Sequence, residues 1–229
     1  LEIITGQDLT VRYTTDGTAP TLRSAVAEGP VKIRDASENA NVWSKITTVT
    51  PALVSDLGAG YAVPSQKIDK CTVIRAAAFD EFGRIKAELT GSYFVGFGDK
   101  IGYDGLHVIS IVTDPKNLFD RDTGIYVMGA AYDAYLDAKN RGATQWYDPY
   151  WWWWDGNYNR RGDATERPAV IQTFSPDGAL TMSKSVGIRI QGGGSRGKIP
   201  RSFNLYARKT YDGSAKMSIR PFGNDYRPQ

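Results

Sequence analysis

The chain consists of short runs of strand length, each bounded by turn-forming residues. Residues 9–15 alternate with a period of two and end at the turn pair Asp16-Gly17, and residues 71–79 are followed by Asp80-Glu81-Phe82-Gly83. Residues 31–34 and 89–97 are two further runs of this kind. A period of two between turn signals is typical of antiparallel strands. The first part is therefore predicted to be an immunoglobulin-like β-sandwich.

A glycine-rich stretch divides the chain in two. Residues 98–105 contain three glycines, and we predict a linker over residues 98–106 between a sandwich at 1–97 and a second domain at 107–229. In the second domain, residues 107–113, 169–174, 186–191 and 202–208 read as strands, and residues 130–166 read as irregular. A short helix is expected near residues 50–53. The predicted fold class is mainly β, with a β-rich (α+β) second domain.

Composition excludes several kinds of site. No apolar run approaches the roughly 18 residues of a membrane-spanning helix, so no membrane insertion by this chain is predicted. One cysteine and one histidine exclude an internal disulfide, a cysteine zinc cluster and a two-histidine metal motif, and no metal site is predicted. Positive charge collects at the carboxyl end, where residues 189–229 carry nine lysines and arginines against two aspartates. This end is expected to attract anions.

The most informative segment is glycine-rich and lies between two predicted strands. Gly192, Gly194 and Gly197 satisfy G-x-G-x-x-G, and Lys198 nearly completes a Walker A spacing. Both of those motifs require a helix after the loop, whereas Pro200 is followed by the alternation of a strand. The remaining interpretations are a plain hairpin turn or a glycine loop that covers nucleotide phosphates, as in protein kinases. Glycines let backbone N–H groups approach an anion closely.

Four consecutive indoles form the other unusual segment, at Trp151, Trp152, Trp153 and Trp154. One strand face cannot bury all four, so at least one is expected to be exposed or to pack against a partner. Stacking on a sugar and wedging between two domains are both open interpretations.

The amino-terminal part resembles the chitobiase/β-hexosaminidase C-terminal type module, an immunoglobulin-like accessory domain of secreted modular proteins. The resemblance covers about residues 1–97. It rests on residues 13–21, with the sequence Tyr-Thr-Thr-Asp-Gly-Thr-Ala-Pro-Thr, on residues 29–31 and on residues 73–79.

The second part resembles the amino-terminal part of the spore-coat CotH kinase family. The resemblance is carried, in order, by residues 108–119, 122–127, 161–163, 166–169, 187–192, 195–196 and 202–209. It implies an atypical secretory-type kinase that uses ATP and magnesium to phosphorylate a partner protein. Arg201 stands where the family commonly has a lysine. The catalytic carboxylates are expected beyond Gln229, so this stretch is expected not to catalyse by itself.

The leading prediction is a fragment of a secreted or cell-surface bacterial protein that supplies an accessory sandwich and a nucleotide-side kinase lobe. The predicted nucleotide-binding residues are Gly192, Gly193, Gly194, Ser195, Arg196, Gly197, Lys198, Arg201 and Lys209. The alternative is a non-catalytic surface adhesion or carbohydrate-binding module that uses the four tryptophans. The expected partner is a protein substrate or a cell-surface glycan and no nucleic acid, and the resemblance implies an extracellular, cell-surface or spore-coat location.

Overall fold

The computed structural model describes residues 1–6, 8–50, 62–100, 102–143 and 155–218. Within these residues the chain is mainly β and contains two four-stranded antiparallel sheets, which confirms the predicted fold class. The helix expected near residues 50–53 and the four-tryptophan segment lie outside the described residues, apart from residue 50.

The first sheet has the strand order β2-β1-β3-β4. Its strands are β1 (Thr10–Thr14), β2 (Ala25–Val26), β3 (Thr72–Phe79) and β4 (Ile85–Tyr93). Asp80 closes the β3–β4 hairpin, because its carboxylate accepts the N–H groups of Phe82 and Arg84 and its own N–H bonds to the Arg84 carbonyl. Gly83, with φ +74°, supplies the left-handed residue of this turn.

One strand prediction in the first domain is wrong. Residues 31–34 are extended but join no sheet, and only the N–H of Val31 is bonded to a backbone carbonyl, that of Leu1. The last predicted strand is shifted, because β4 ends at Tyr93 and residues Phe97–Asp99 form a 3₁₀ turn. Local β-propensity marks extended backbone, but pairing with a neighbour decides whether it becomes a sheet strand.

The second sheet has the order β5-β6-β7-β8. It comprises β5 (Val108–Val112), β6 (Arg167–Phe174), β7 (Leu180–Ile190) and β8 (Phe203–Tyr206). Three of these lie close to the predicted runs, whereas β7 begins six residues before the predicted 186–191. Its buried face carries Ile171, Val186, Ile188 and Ile190, each at most 3% exposed. Burial of such side chains stabilises a fold by about 1.5–3 kcal/mol each.

In the described residues, three α-helices accompany the second sheet: α1 (Pro115–Phe119), α2 (Gly129–Asn140) and α3 (Lys209–Asp212). Helix α2 corrects the expectation that residues 130–166 are irregular throughout. Its composition of small and polar residues hides the amphipathic period on which a helix prediction depends. Helix α1 begins with Pro115, and the side chain of Asp114 caps it by accepting the N–H of Lys116.

The two sheets are joined by buried hydrogen bonds. The amide of Gln172 on β6 accepts the N–H of Ser92 at 2.9 Å and donates to the carbonyl of Thr90 at 3.1 Å, so it pairs with the edge of β4 as a strand would. The capping carboxylate of Asp114 also accepts the N–H of Ala19. The two sheets and their connections are therefore in direct contact.

The predicted linker is itself anchored to the first domain. The ammonium of Lys100 binds Asp69 at 2.6 Å and Asp35 at 3.3 Å, and the hydroxyl of Tyr103 donates to Asp69. The glycines of this stretch provide turns, and its charged residues tie it down. The boundaries at residues 97 and 106 stay predictions.

Candidate functional site

The glycine-rich segment joins β7 to β8, as the sequence predicts. The strands pair from Gly187 opposite Tyr206 to Ile190 opposite Phe203, and the N–H of Gln191 extends the ladder to the carbonyl of Ser202. The connecting segment, which we call the glycine loop, comprises residues 191–202 and contains one 3₁₀ turn at Gly194–Gly197.

Two glycines give the loop its shape and an open surface. Gly192 has φ +112°, and a side chain there would collide with the hydroxyl of Ser195. Gly193 has no atom within 4 Å of the position of a Cβ. The N–H groups of Gly193 and Gly194 have no acceptor among the described residues, and both residues are exposed. The loop therefore presents free amide donors to solvent, next to the exposed Lys198.

Arg196 lies beneath the loop and is only 7% exposed. Its guanidinium donates to the carbonyl of Gly192 at 2.8 Å, to those of Tyr158 at 3.0 Å and Arg160 at 3.1 Å, and to that of Ile190. Burial, and then the nearby charge of Arg161, lower the pKa of Arg196. The side chain holds the loop against the segment around Tyr158.

Arg201 is buried at the other end of the loop, with 5% exposure. Its guanidinium donates to the carbonyl of Arg196, to that of Tyr126 at 3.0 Å and to that of Val49 at 2.8 Å. It also lies over the ring of Tyr158, 4.1 Å from the centroid. Burial lowers the pKa of Arg201 to about 10, so this guanidinium is charged at neutral pH.

The expectation that Arg196 and Arg201 grip phosphates directly must be corrected. Their donors point at backbone carbonyls and their side chains are enclosed, so they build the loop from below. Lys209 is also separated from the loop, since it begins α3 beyond the far end of β8. Of the predicted cations, Lys198 is the one the structure leaves exposed at the loop, and Arg161 joins it by donating to the carbonyl of Gly192 at 3.3 Å.

The two buried arginines have no counter-ion among the described residues. The ion pairs found there include no carboxylate bound to either guanidinium. Buried charges in proteins are ordinarily paired, because carbonyl dipoles compensate a full charge only in part. Two such charges under a loop with free N–H groups make its outer surface a favourable place for an anion.

A second charged cluster surrounds Glu166, which precedes β6, and includes Arg189 on β7 and Arg208 after β8. The carboxylate of Glu166 accepts from Arg189 at 2.7 and 3.0 Å, from Arg208 at 2.7 and 2.8 Å and from the hydroxyl of Tyr211 at 2.9 Å. The hydrogen bonds from Arg208, followed by those from Arg189 and Tyr211, lower the pKa of Glu166 to about 2 despite its partial burial. Asp163 is also bound to Arg189. This cluster is charge-balanced, unlike the loop.

Residues 1–93 match the model of the family described as Fn3 associated. The match spans the first sheet and ends at Tyr93, the last residue of β4. This segment is similar to Fn3-associated domains, and it is called the Fn3-associated domain below. Domains of this family occur in bacterial surface proteins. No curated protein and no solved structure matches the chain.

The Fn3-associated domain contributes to a cleft beside the glycine loop. Trp43 stacks on Phe119 with ring centroids 5.6 Å apart and planes 7° from parallel. The cavity next to this pair measures about 330 Å³. Its lining residues are Trp43, Ser44, Ile46, Val49, Leu118, Phe119, Tyr126, Ile199 and Phe203. Both domains and the end of the loop therefore meet at one mostly apolar cleft.

Sequence reasoning missed Glu166, Tyr158 and the part of the Fn3-associated domain that reaches the loop. Glu166 was visible only as one residue of the kinase resemblance, without a role. Tyr158 lies in a polar-aromatic stretch and is fully buried, and burial raises its pKa to about 12. No local signal could have identified the contact of Val49 with Arg201, because the two residues are 152 positions apart.

In the described part of the chain, no three acidic, histidine or cysteine side chains come together to hold a metal ion. The helices described are also too short or too polar to span a bilayer.

Proposed function

We propose that the chain combines an Fn3-associated domain with the nucleotide-side lobe of a surface kinase resembling the CotH family. In this proposal the glycine loop receives the phosphates of ATP. The parent protein would be secreted or displayed on the cell surface, with a spore coat as one such location, and would phosphorylate a partner protein.

The burial of Arg196 and Arg201 without a carboxylate partner in the described part of the chain is the observation that carries the proposal. A phosphate at the free N–H groups of Gly193 and Gly194 would accept from the backbone next to the guanidinium of Arg196, which bonds to the carbonyl of Gly192. Lys198 and Arg161 would add charge from the solvent side. Charge-assisted bonds of this kind are roughly twice as strong as neutral ones.

The chemical role of this lobe is to bind and orient phosphates and to neutralise their charge. Positioning and electrostatic stabilisation dominate phosphoryl transfer, so such a role is a substantial part of catalysis. The carboxylates of Glu166 and Asp163 are occupied by arginines. We therefore assign no general base to the described residues.

The test is titration calorimetry of the chain with tripolyphosphate and with ATP, at low and moderate salt. Gly193→Asp adds a carboxylate where there is open space, and Gly193→Asn is its uncharged control of the same shape. We expect the aspartate to weaken tripolyphosphate binding about tenfold or more, equivalent to about 1.4 kcal/mol, and the asparagine to change it far less.

Lys198→Gln should also weaken binding and reduce its dependence on salt, because one exposed charge is lost. The exposed Lys67, which pairs with Glu38 in the first domain, offers the matched control Lys67→Gln. Failure of the wild type to bind tripolyphosphate at millimolar concentration, or an unchanged affinity in Gly193→Asp, would remove the loop from any phosphate site.

A carbohydrate-binding or adhesion function is the second candidate, and the exposed stack of Trp43 on Phe119 is the observation that favours it. Aromatic faces bind the apolar faces of sugars. The predicted site at Trp151, Trp152, Trp153 and Trp154 lies outside the described residues. A glycan array probed with the wild type and with Trp43→Ala separates the functions, since binding that needs Trp43 and ignores Gly193→Asp would support the second.

A further inference from the structure

Arg201 connects three separate parts of the chain through one rigid group. Its guanidinium donates to Arg196 in the glycine loop, to Tyr126 after α1 and to Val49 in the Fn3-associated domain. Its backbone N–H also bonds to the hydroxyl of Tyr126 at 3.0 Å. The planar fork fixes the directions of all these donors relative to one another.

The contact with Val49 lies in a firmly held part of the domain interface. Val49 is buried, and the preceding carbonyl, that of Thr48, accepts the N–H of Met128 at 2.9 Å. Withdrawal of residues 48–49 would leave charged N–H groups of Arg201 buried without an acceptor. An unsatisfied buried donor is costly, and a charged one more so. The loop and the interface therefore cannot rearrange independently at low cost.

We propose that Arg201 is a positioning residue that couples the glycine loop to the docking of the Fn3-associated domain. Through this coupling, an anion bound at the loop stabilises the docked domains, and docking in turn raises the affinity of the loop for the anion. Such reciprocity is required of any equilibrium coupling between two sites. The claim that a bound anion stabilises docking rests on the proposed function. The claim that Arg201 couples the loop to the domain interface does not.

Hydrogen exchange on the whole chain tests both halves. Peptides covering residues 192–198 report on the loop, and peptides covering residues 42–50 report on the interface. Without ligand, Arg201→Lys keeps the charge but replaces the fork with one ammonium group, and we expect exchange to accelerate about tenfold or more in both segments. Arg161→Lys, at an exposed position that contacts the loop at Gly192, is the control and should accelerate exchange in residues 42–50 little.

Tripolyphosphate is the probe for the second half. In the wild type it should slow exchange in residues 192–198 and also in residues 42–50, whereas in Arg201→Lys any protection should stay in the loop. A merely structural role of Arg201 would not produce protection of residues 42–50 by tripolyphosphate bound at the loop.

The outcomes separate the two proposals. If tripolyphosphate protects nothing in the wild type, the proposed function fails while the ligand-free comparison still decides the coupling. If Arg201→Lys loosens the loop alone, or if residues 42–50 are protected equally in both proteins, the coupling is wrong. Arg201→Lys could not be compared if it failed to fold, which fast exchange in the β3 and β7 peptides would show. The coupling is then tested in the wild type alone: tripolyphosphate that protects residues 192–198 but not residues 42–50 would contradict it.

Discussion

Glu166 provides a direct test of how charge stabilises the second sheet. Its side chain is 9% exposed and accepts five hydrogen bonds from Arg189, Arg208 and Tyr211. The substitution Glu166→Gln keeps the shape but removes the charge and one acceptor. Both guanidinium groups then lose their strongest partner.

The magnitude follows from the pKa of Glu166, which is lowered from 4.5 to about 2. At 1.36 kcal/mol per pKa unit, this shift corresponds to at most about 3.4 kcal/mol of folding free energy. The side chain of Arg208 is 42% exposed, so solvent screens part of the interaction. We expect Glu166→Gln to lower the free energy of unfolding at pH 7 by about 2 kcal/mol.

The pH dependence makes the test specific. A carboxyl whose pKa is lowered in the folded state stabilises the protein above its unfolded pKa, and that contribution is lost as the pH falls from about 4.5 towards 2. The difference between wild type and variant should therefore fall below about half of its neutral value by pH 3.

Urea denaturation at pH 7, 5 and 3 measures this difference, and the exposed Glu88 supplies the control Glu88→Gln, expected to change stability by less than about 0.5 kcal/mol. An equal loss at pH 7 and pH 3 would refute the electrostatic reasoning and assign the effect to packing beside Gly187, where a Cβ would overlap the Glu166 side chain.

Three other perturbations test the architecture. Gln172→Leu leaves the edge groups of Thr90 and Ser92 without their partner, so the free energy of unfolding should fall by about 2–4 kcal/mol in chemical denaturation; a loss below about 0.5 kcal/mol would contradict the pairing. Gly129→Ala, at φ +58° and against the amide of Asn157, should lower Tm by several degrees or prevent folding, and an unchanged Tm would show that the turn relaxes. Lys100→Met should speed proteolysis within residues 98–106, and unchanged cleavage would mean that Lys100 does not hold this stretch.

The sequence was most informative where structure is local. Alternation along residues 9–15 and the turn at Asp80 predicted strands of the first sheet, and Pro200 followed by alternation excluded a helix after the glycines. Residues 31–34 have the same β-rich composition but join no sheet, because their backbone groups bond to Leu1 and to the side-chain hydroxyl of Thr72 and not to the backbone ladder of a strand. Helix α2 escaped prediction because its stability comes from contacts such as that of Asn157 with Ala131, not from its own pattern.

Strand periodicity and glycine placement thus established a mainly β chain with an open loop between two paired strands, since both depend on neighbours along the backbone. The roles of the charged residues depended on the packing of distant segments. Arg196, Arg201 and Lys209 are equivalent cations in the sequence, yet two are enclosed beneath the loop and the third lies beyond the far end of β8. Burial and hydrogen-bond geometry distinguish them, and these arise only when residues such as Val49 and Arg201 meet in space.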